Sequence, residues 1–80
     1  MSIVNYLPEL PKEGSVVFAD NGKYSSDRAI FKNGEFVGGG DYPVMPYTMS
    51  FVLKWFYLDE YDEKMGGGSY LIGFEEAENL

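Results

Sequence analysis

The segment SVVFADNG, residues 15–22, joins a run of β-branched and aromatic side chains to an Asn-Gly pair. A second Asn-Gly pair follows at Asn33-Gly34, between the apolar runs 29–32 and 35–37. Asn and Gly tolerate the positive φ angles of a type I′ turn, so this dipeptide is a strong hairpin signal. Together, the two pairs predict a three-stranded antiparallel meander over residues 15–38.

The chain before the meander carries two prolines in the sequence Leu7-Pro8-Glu9-Leu10-Pro11. Proline fixes φ and biases the preceding residue towards extended conformations. Residues 1–12 are therefore predicted to form an extended arm or a short edge strand. An irregular packed terminus is an equally open alternative.

The chain after the meander first passes through a loop rich in glycine and proline and then becomes ambiguous. Residues 49–58 have the Phe, Trp, Tyr and Val content of a strand, and their apolar positions alternate. As an alternative, a helix over 48–64 could be packed on the sheet. That helix would place several acids near its carboxyl end, where the helix dipole disfavours them. A strand at 49–58 is therefore the favoured interpretation.

The strand interpretation leaves room for one short helix near 59–65, with Asp59 as its cap and Gly66 as its stop signal. Residues 69–74 then form a last strand, which makes a hairpin with 49–58. The predicted fold class is a small β-rich α+β protein, an antiparallel meander at 15–38 plus this hairpin.

The length and composition of the chain predict a single domain over residues 1–80. The chain has 80 residues, among them six Phe, seven Tyr and one Trp. Each buried aromatic ring removes about 150–250 Å² from water, so the aromatic content supplies ample core material. This composition disfavours an intrinsically disordered chain, because disorder accompanies a low aromatic content.

The sequence contains neither Cys nor His. Thiolate metal sites, disulfides, Cys nucleophiles and His general bases are therefore excluded. The two triglycine stretches are followed by Asp41 and Ser69, so neither matches a phosphate-binding loop. We expect a protein that is not an enzyme and holds no metal or cofactor.

The amino terminus lacks the basic start and apolar run of a signal peptide. No stretch reaches the roughly 20 apolar residues that a membrane helix requires. Together with the absence of cysteine, these features predict a cytoplasmic protein without membrane association.

The negative charge is concentrated in the last quarter of the chain. The formal net charge is −7, and residues 59–80 contain seven acids and one base. Direct binding to nucleic acid requires clustered Lys and Arg, so this function is disfavoured. An acidic surface instead attracts basic surfaces and speeds encounter with them. The expected partner is a protein with a basic surface.

Acids and tyrosines alternate in this last quarter in a way that indicates a protein interface, since Tyr is enriched at interfaces. Carboxylates two residues apart on a strand lie about 6.5–7 Å from each other. Successive phosphates of a nucleic-acid strand have a similar separation, so the acids could mimic them. A solvated acidic loop is the alternative. The candidate partner-binding residues are Tyr57, Asp59, Glu60, Tyr61, Asp62, Glu63, Glu75, Glu76 and Glu78.

Two functions fit these patterns. The first is a small acidic inhibitor that docks on a basic groove of a target protein. In size, acidity and lack of catalytic residues the chain resembles, in type only, the small proteins that phages use against host nucleases and defence systems. The second is a non-catalytic accessory subunit that forms an oligomer or assembly through edge strands and aromatic side chains.

Overall fold

A computed structural model describes residues 2–20, 26–39, 45–49, 51–66 and 72–80. These residues form one antiparallel sheet of six strands in the order β1-β6-β2-β3-β4-β5, together with two short helices. The predicted β-rich α+β class is confirmed. The elements are β1 Asn5–Tyr6, β2 Val16–Asp20, β3 Ser26–Lys32, β4 Glu35–Gly38, β5 Tyr47–Met49, β6 Lys54–Tyr57, α1 Leu58–Lys64 and α2 Phe74–Glu78.

The predicted meander is confirmed as strands β2, β3 and β4. Asn33 and Gly34 connect β3 to β4 with φ angles of 54° and 78°, the positive values that a type I′ turn requires. The Glu13 carboxylate supports this turn, because its two oxygens accept the Asn33 backbone N–H at 3.1 and 2.8 Å. The turn predicted at Asn21-Gly22 lies outside the described residues.

The amino-terminal arm contributes the short edge strand β1, as one of its two alternatives predicted. Asn5 is paired with Trp55, and the Leu7 N–H donates to the Leu53 carbonyl at 3.1 Å. Strand β6 therefore has β1 on one side and β2 on the other.

The prediction of one continuous strand over 49–58 is wrong, because two separate strands, β5 and β6, cover parts of this segment. The alternative helix over 48–64 is wrong for the residues up to Tyr57, because α1 begins at Leu58. Strand β5 ends at Met49 beside β4, whereas β6 begins at Lys54 between β1 and β2. A central strand buries side chains on both faces, and adjacent Trp55 and Phe56 are 2% and 0% exposed. Phe51 between the two strands is 59% exposed, so the alternating pattern does not mark one continuous core face.

The predicted last strand over 69–74 is also wrong where the structure describes it. Phe74 is the first residue of α2, and residues 69–71 lie outside the described residues. A hairpin with β6 is prevented because both edges of β6 are already paired. Phe74 instead packs its ring against Phe18 and Phe56, with centroid distances of 5.7 and 4.9 Å.

The sheet has an apolar cluster on each face. The cluster on the helix face joins the sheet to both helices and comprises Ile3, Phe56, Leu58, Tyr61 and Ala77. The cluster on the opposite face comprises Val17, Ala19, Ala29, Phe31, Phe36, Met49 and Trp55. The Trp55 indole N–H donates to the Glu9 carbonyl at 2.8 Å, which ties the amino-terminal arm to this second cluster.

The edge strand β5 is held by an aromatic ring and a phenol hydrogen bond. Tyr47 is paired with Gly38, and its ring occupies the space above this glycine, because a β-carbon there would lie 2.9 Å from the Tyr47 Cζ. The Tyr47 hydroxyl donates a hydrogen bond to the Asp27 carboxylate. This hydrogen bond, followed by partial burial and the Asp27 charge, raises the pKa of Tyr47 above its ordinary value of 10.0.

The raised pKa of Tyr47 gives a pH-dependence with a defined sign. The hydrogen bond stabilises the fold fully below pH 10, and this contribution is lost as the pH rises through the higher folded-state pKa. In an absorbance titration of phenolate formation, we expect Asp27→Asn to return one tyrosine to a lower pKa. The variant Tyr47→Phe lacks this phenol, so the titration step that disappears in its curve is the one that belongs to Tyr47. Superimposable titration curves for the wild type and Asp27→Asn would contradict the assignment.

Candidate protein-binding surface

Helix α1 positions the first group of candidate carboxylates. It begins at Leu58, one residue before the predicted start, with Tyr57 at the N-cap position and no side-chain hydrogen bond to the cap. The prediction that Asp59 caps the helix is therefore wrong. Asp59 lies in the first turn with Glu60, where the helix dipole favours acids. The predicted stop is confirmed, because Gly66 follows the helix with a φ of 80°.

Tyr61 lies in the core and is removed from the candidate surface. Its side chain is 0% exposed and stacks on Phe56 with a centroid distance of 5.3 Å. Leu58, three residues earlier, is buried on the same side of the helix. The spacing of Leu58 and Tyr61 is the sequence signal that could have placed this tyrosine in the core, because residues three apart share a helix face.

The remaining acids of α1 face solvent, and three of them line a groove. Asp59, Asp62 and Glu63 are exposed, and Glu60 is partly exposed. The groove has a volume of about 570 Å³ and lies between α1 and the chain that leads into β2. Its lining includes Tyr57, Asp59, Glu60 and Glu63 on the helix side, and Lys12, Gly14, Ser15 and Val16 on the other side.

Tyr57 is fixed within this groove. Its hydroxyl oxygen accepts the Lys12 backbone N–H at 3.0 Å, and its ring packs edge-on against Trp55 with a centroid distance of 4.9 Å. The side chain is therefore half-buried and rigid rather than a freely rotating surface tyrosine. The sequence did not identify Lys12 as part of this site, because only the register of the folded chain brings it beside α1.

Helix α2 carries the second group of candidate carboxylates. Glu75, Glu76 and Glu78 are exposed, while Ala77 is buried in the same apolar cluster as Tyr61. Both helices therefore cover one face of the sheet, and the glutamates of α2 remain exposed.

The three glutamates of α2 differ in their surroundings. Glu78 forms a salt bridge with the Lys54 ammonium group at 3.2 Å and accepts a hydrogen bond from the Tyr6 hydroxyl at 3.4 Å. The Glu76 carboxylate folds back towards Gly73, where its Oε2 lies 2.6 Å from the position a β-carbon would occupy. Glu78 is thus partly neutralised by Lys54, whereas Glu75 and Glu76 have no ion pair among the residues that the structure describes.

Most acidic side chains of the two helices have no ion pair within the described residues. Within the described parts of the chain, the Lys54–Glu78 pair is the salt bridge that reaches either helix. Six helix carboxylates have no ion pair among those residues, namely Asp59, Glu60, Asp62, Glu63, Glu75 and Glu76. The result is a predominantly negative surface, to which Lys64 in the last turn of α1 and Lys12 across the groove add positive charge.

Neither helix in the described ranges has the length and apolar character needed to cross a membrane. In the same ranges, no three acidic side chains are grouped so that they could hold a metal ion. No protein-family model matches the chain, and comparison with curated proteins and with solved structures finds no significant match. The surface itself is therefore the basis for a functional proposal.

Proposed function

We propose that this protein is a small acidic binding protein, without catalytic activity, that docks its two helices on a basic groove of a target protein. The observation that carries this proposal is the set of six carboxylates on α1 and α2, on one face of the sheet, that have no ion pair within the described residues. A predominantly negative surface attracts a basic surface and speeds the encounter with it.

Docking of this kind would inhibit the target. Basic grooves on proteins bind nucleic acid by replacing its counterions with Lys and Arg. A domain of this size that occupies such a groove excludes the nucleic acid from it. The proposed target is a nucleic-acid-handling or defence protein, in the manner of small phage-type inhibitors. The absence of cysteine supports a cytoplasmic location for this binding.

Capture of the target at two salt concentrations tests this proposal. The protein is immobilised, exposed to lysate of its host and washed at low or at high salt, and the retained proteins are identified by mass. We expect a nucleic-acid-handling protein to be retained at low salt and released at high salt. The Debye length falls from about 30 Å at 0.01 M to about 3 Å at 1 M salt, which removes the attraction between exposed charges.

One result of this capture would contradict the proposal. Retention of only the protein itself or of an assembly component through both washes would contradict charge-driven docking. The double variant Glu9→Lys/Glu35→Lys is a matched control, because both side chains are exposed and lie outside the helices. This control should retain the same target as the wild type at low salt.

An accessory subunit is the second candidate function. Strand β5 lies at the edge of the sheet, and its Tyr47 and Thr48 side chains are exposed. An edge strand offers backbone donors and acceptors to a strand of another chain. Association of this kind depends little on salt, so the two-salt capture distinguishes it from docking by the helices.

A further inference from the structure

The turn between β3 and β4 consists of an Asn-Gly pair, which is chemically reactive as well as suited to a hairpin. In such a pair the backbone nitrogen of the glycine can attack the Cγ of the asparagine side chain. Glycine leaves the approach to its nitrogen open because it has no side chain, and asparagine is among the thermolabile residues of proteins. Asn33 and Gly34 are both exposed, so water reaches them. The turn therefore contains the groups that deamidation requires.

The deamidation of Asn33 consumes only water. The Gly34 nitrogen loses its proton and forms a bond to the Asn33 Cγ, the Cγ–Nδ2 bond breaks, and Nδ2 leaves as ammonia. The product is a succinimide ring. Water then opens the ring at either carbonyl carbon, which gives aspartate or isoaspartate at this position. No oxidant or reductant is needed, because no atom changes its oxidation state.

The folded turn holds the two reacting atoms apart. Asn33 and Gly34 have φ angles of 54° and 78°, which are those of a type I′ turn. The first central residue of this turn has a ψ of about +30°, the mirror image of a type I turn. At this ψ the glycine nitrogen points away from the asparagine Cβ, whereas the succinimide closes only when the nitrogen eclipses Cβ. The turn must therefore open before Asn33 can react.

The Glu13 side chain holds this turn closed. Its two carboxylate oxygens accept the Asn33 backbone N–H at 3.1 and 2.8 Å. The next residue, Gly14, is itself attached to β3, because its N–H donates to the Phe31 carbonyl at 2.7 Å. The Glu13 carboxylate also places a negative charge beside the turn, and a nearby negative charge opposes deprotonation of the glycine nitrogen. Glu13 thus opposes both the opening of the turn and the first chemical step.

We propose that Asn33-Gly34 is a deamidation site which the closed turn and Glu13 protect. The pair reacts with water when the turn opens, and it releases ammonia. Deamidation then adds one negative charge to a chain whose formal net charge is −7. The inference is independent of the proposed function, because the turn lies outside both helices.

Modification at this position weakens the part of the sheet that contains β4 and β5. Isoaspartate adds a carbon atom to the main chain within the turn, which disturbs the pairing of Lys32 with Glu35. Aspartate keeps the length of the main chain but places a second carboxylate beside Glu13. Beyond the turn, Phe31 and Phe36 pack edge-on with a centroid distance of 5.1 Å, and β5 pairs with β4. We therefore expect faster amide hydrogen exchange in β4 and β5 of the modified protein.

Incubation of the folded and the urea-denatured protein at mildly alkaline pH tests the inference. Tryptic cleavage after Arg28 and Lys32 separates Asn33 from the other Asn-Gly pair of the chain. Mass spectrometry measures the conversion, and chromatography separates aspartate from isoaspartate. We expect Asn33 to react at least tenfold more slowly in the folded protein, roughly the factor that one hydrogen bond to a charged group contributes to the closed turn. Equal rates in the folded and denatured protein would overturn the inference.

Substitution of Glu13 tests its role separately from that of the turn. Glu13→Gln removes the charge and keeps the length of the side chain. Glu35→Gln is the matched control, because it removes the same charge two residues from Asn33 and both glutamates are exposed. With each rate divided by that of the same variant in urea, we expect Glu13→Gln to lose most of the protection and Glu35→Gln to keep it. Equal protection in the two folded variants would contradict the role of Glu13, and circular dichroism verifies that they fold.

Amide hydrogen exchange of the aged protein tests the structural consequence. Protein enriched in isoaspartate at Asn33 should exchange faster than fresh protein at Phe36, Val37 and Met49. Exchange at Trp55 on the central strand β6 should not change. The variant Asn33→Gly is the control, because a Gly-Gly pair suits the same turn and cannot deamidate. An equal rise in exchange in the aged control would show that deamidation is not the cause.

Discussion

Replacing Trp55 by alanine is expected to lower the free energy of unfolding by about 3–5 kcal/mol, the range measured for large aromatic deletions in cores. The indole is 2% exposed, lies on the central strand β6 and packs against Tyr57. Its N–H also donates to the Glu9 carbonyl, so the substitution releases the amino-terminal arm from the second cluster. Domains of this size have a total stability of about 5–15 kcal/mol, so a large part of it depends on this ring.

Chemical denaturation followed by circular dichroism measures this effect, because Trp55 is the sole tryptophan and its fluorescence disappears in the variant. Phe51→Ala is the matched control, since it removes an aromatic ring that is 59% exposed. We expect the control to change the free energy of unfolding by about 0.5 kcal/mol or less. A Trp55→Ala variant as stable as Phe51→Ala would show that the indole does not support the core.

The sequence predicts the meander well because its signals are local. Asn33-Gly34 requires positive φ angles at two adjacent positions, and the structure has them. The residues on either side then pair without any contribution from distant parts of the chain. Helix α1 is likewise predicted to within one residue at its start, because Gly66 and the acids of the first turn are local signals.

The failed predictions depend on pairings between distant residues. Propensity favours a strand at 49–58, but it cannot show that Met49 pairs with Phe36 whereas Trp55 pairs with Ala19. These partners lie on opposite sides of the meander, so the chain must leave one edge of the sheet and return at another position. The segment 69–74 loses its predicted partner for the same reason, since β1 fills the remaining edge of β6.

The candidate surface shows the same division. The acids of the last quarter are visible in the sequence, and the structure exposes Asp59, Asp62 and Glu63. The sequence does not show that Tyr61 is buried or that Lys12 lies across the groove, because both depend on how α1 packs against the sheet. The composition thus predicts that the surface is acidic, whereas only the fold shows which residues lie beside the acids.

Reversing the charge at Asp59 and Glu63 is expected to slow association with the captured target about tenfold at low salt, within the range of electrostatic steering. Both side chains line the groove, are exposed and lack an ion pair in the described chain. The variant Asp59→Lys/Glu63→Lys should fold, because each end of α1 changes by only about 0.3–1 kcal/mol and the two changes oppose each other. A basic residue is unfavourable in the first turn and favourable in the last.

Association rates measured by surface plasmon resonance at several salt concentrations test this prediction, with circular dichroism to verify the fold. The control Glu9→Lys/Glu35→Lys makes the same change in net charge away from the helices. A specific role of α1 requires a larger loss for Asp59→Lys/Glu63→Lys than for the control, and a difference that shrinks as salt increases. Equal losses would mean that only the net charge of the protein matters. An unchanged rate in the folded variant at low salt would remove α1 from the binding surface, because exposed charges at a true interface cannot be reversed without altering the encounter.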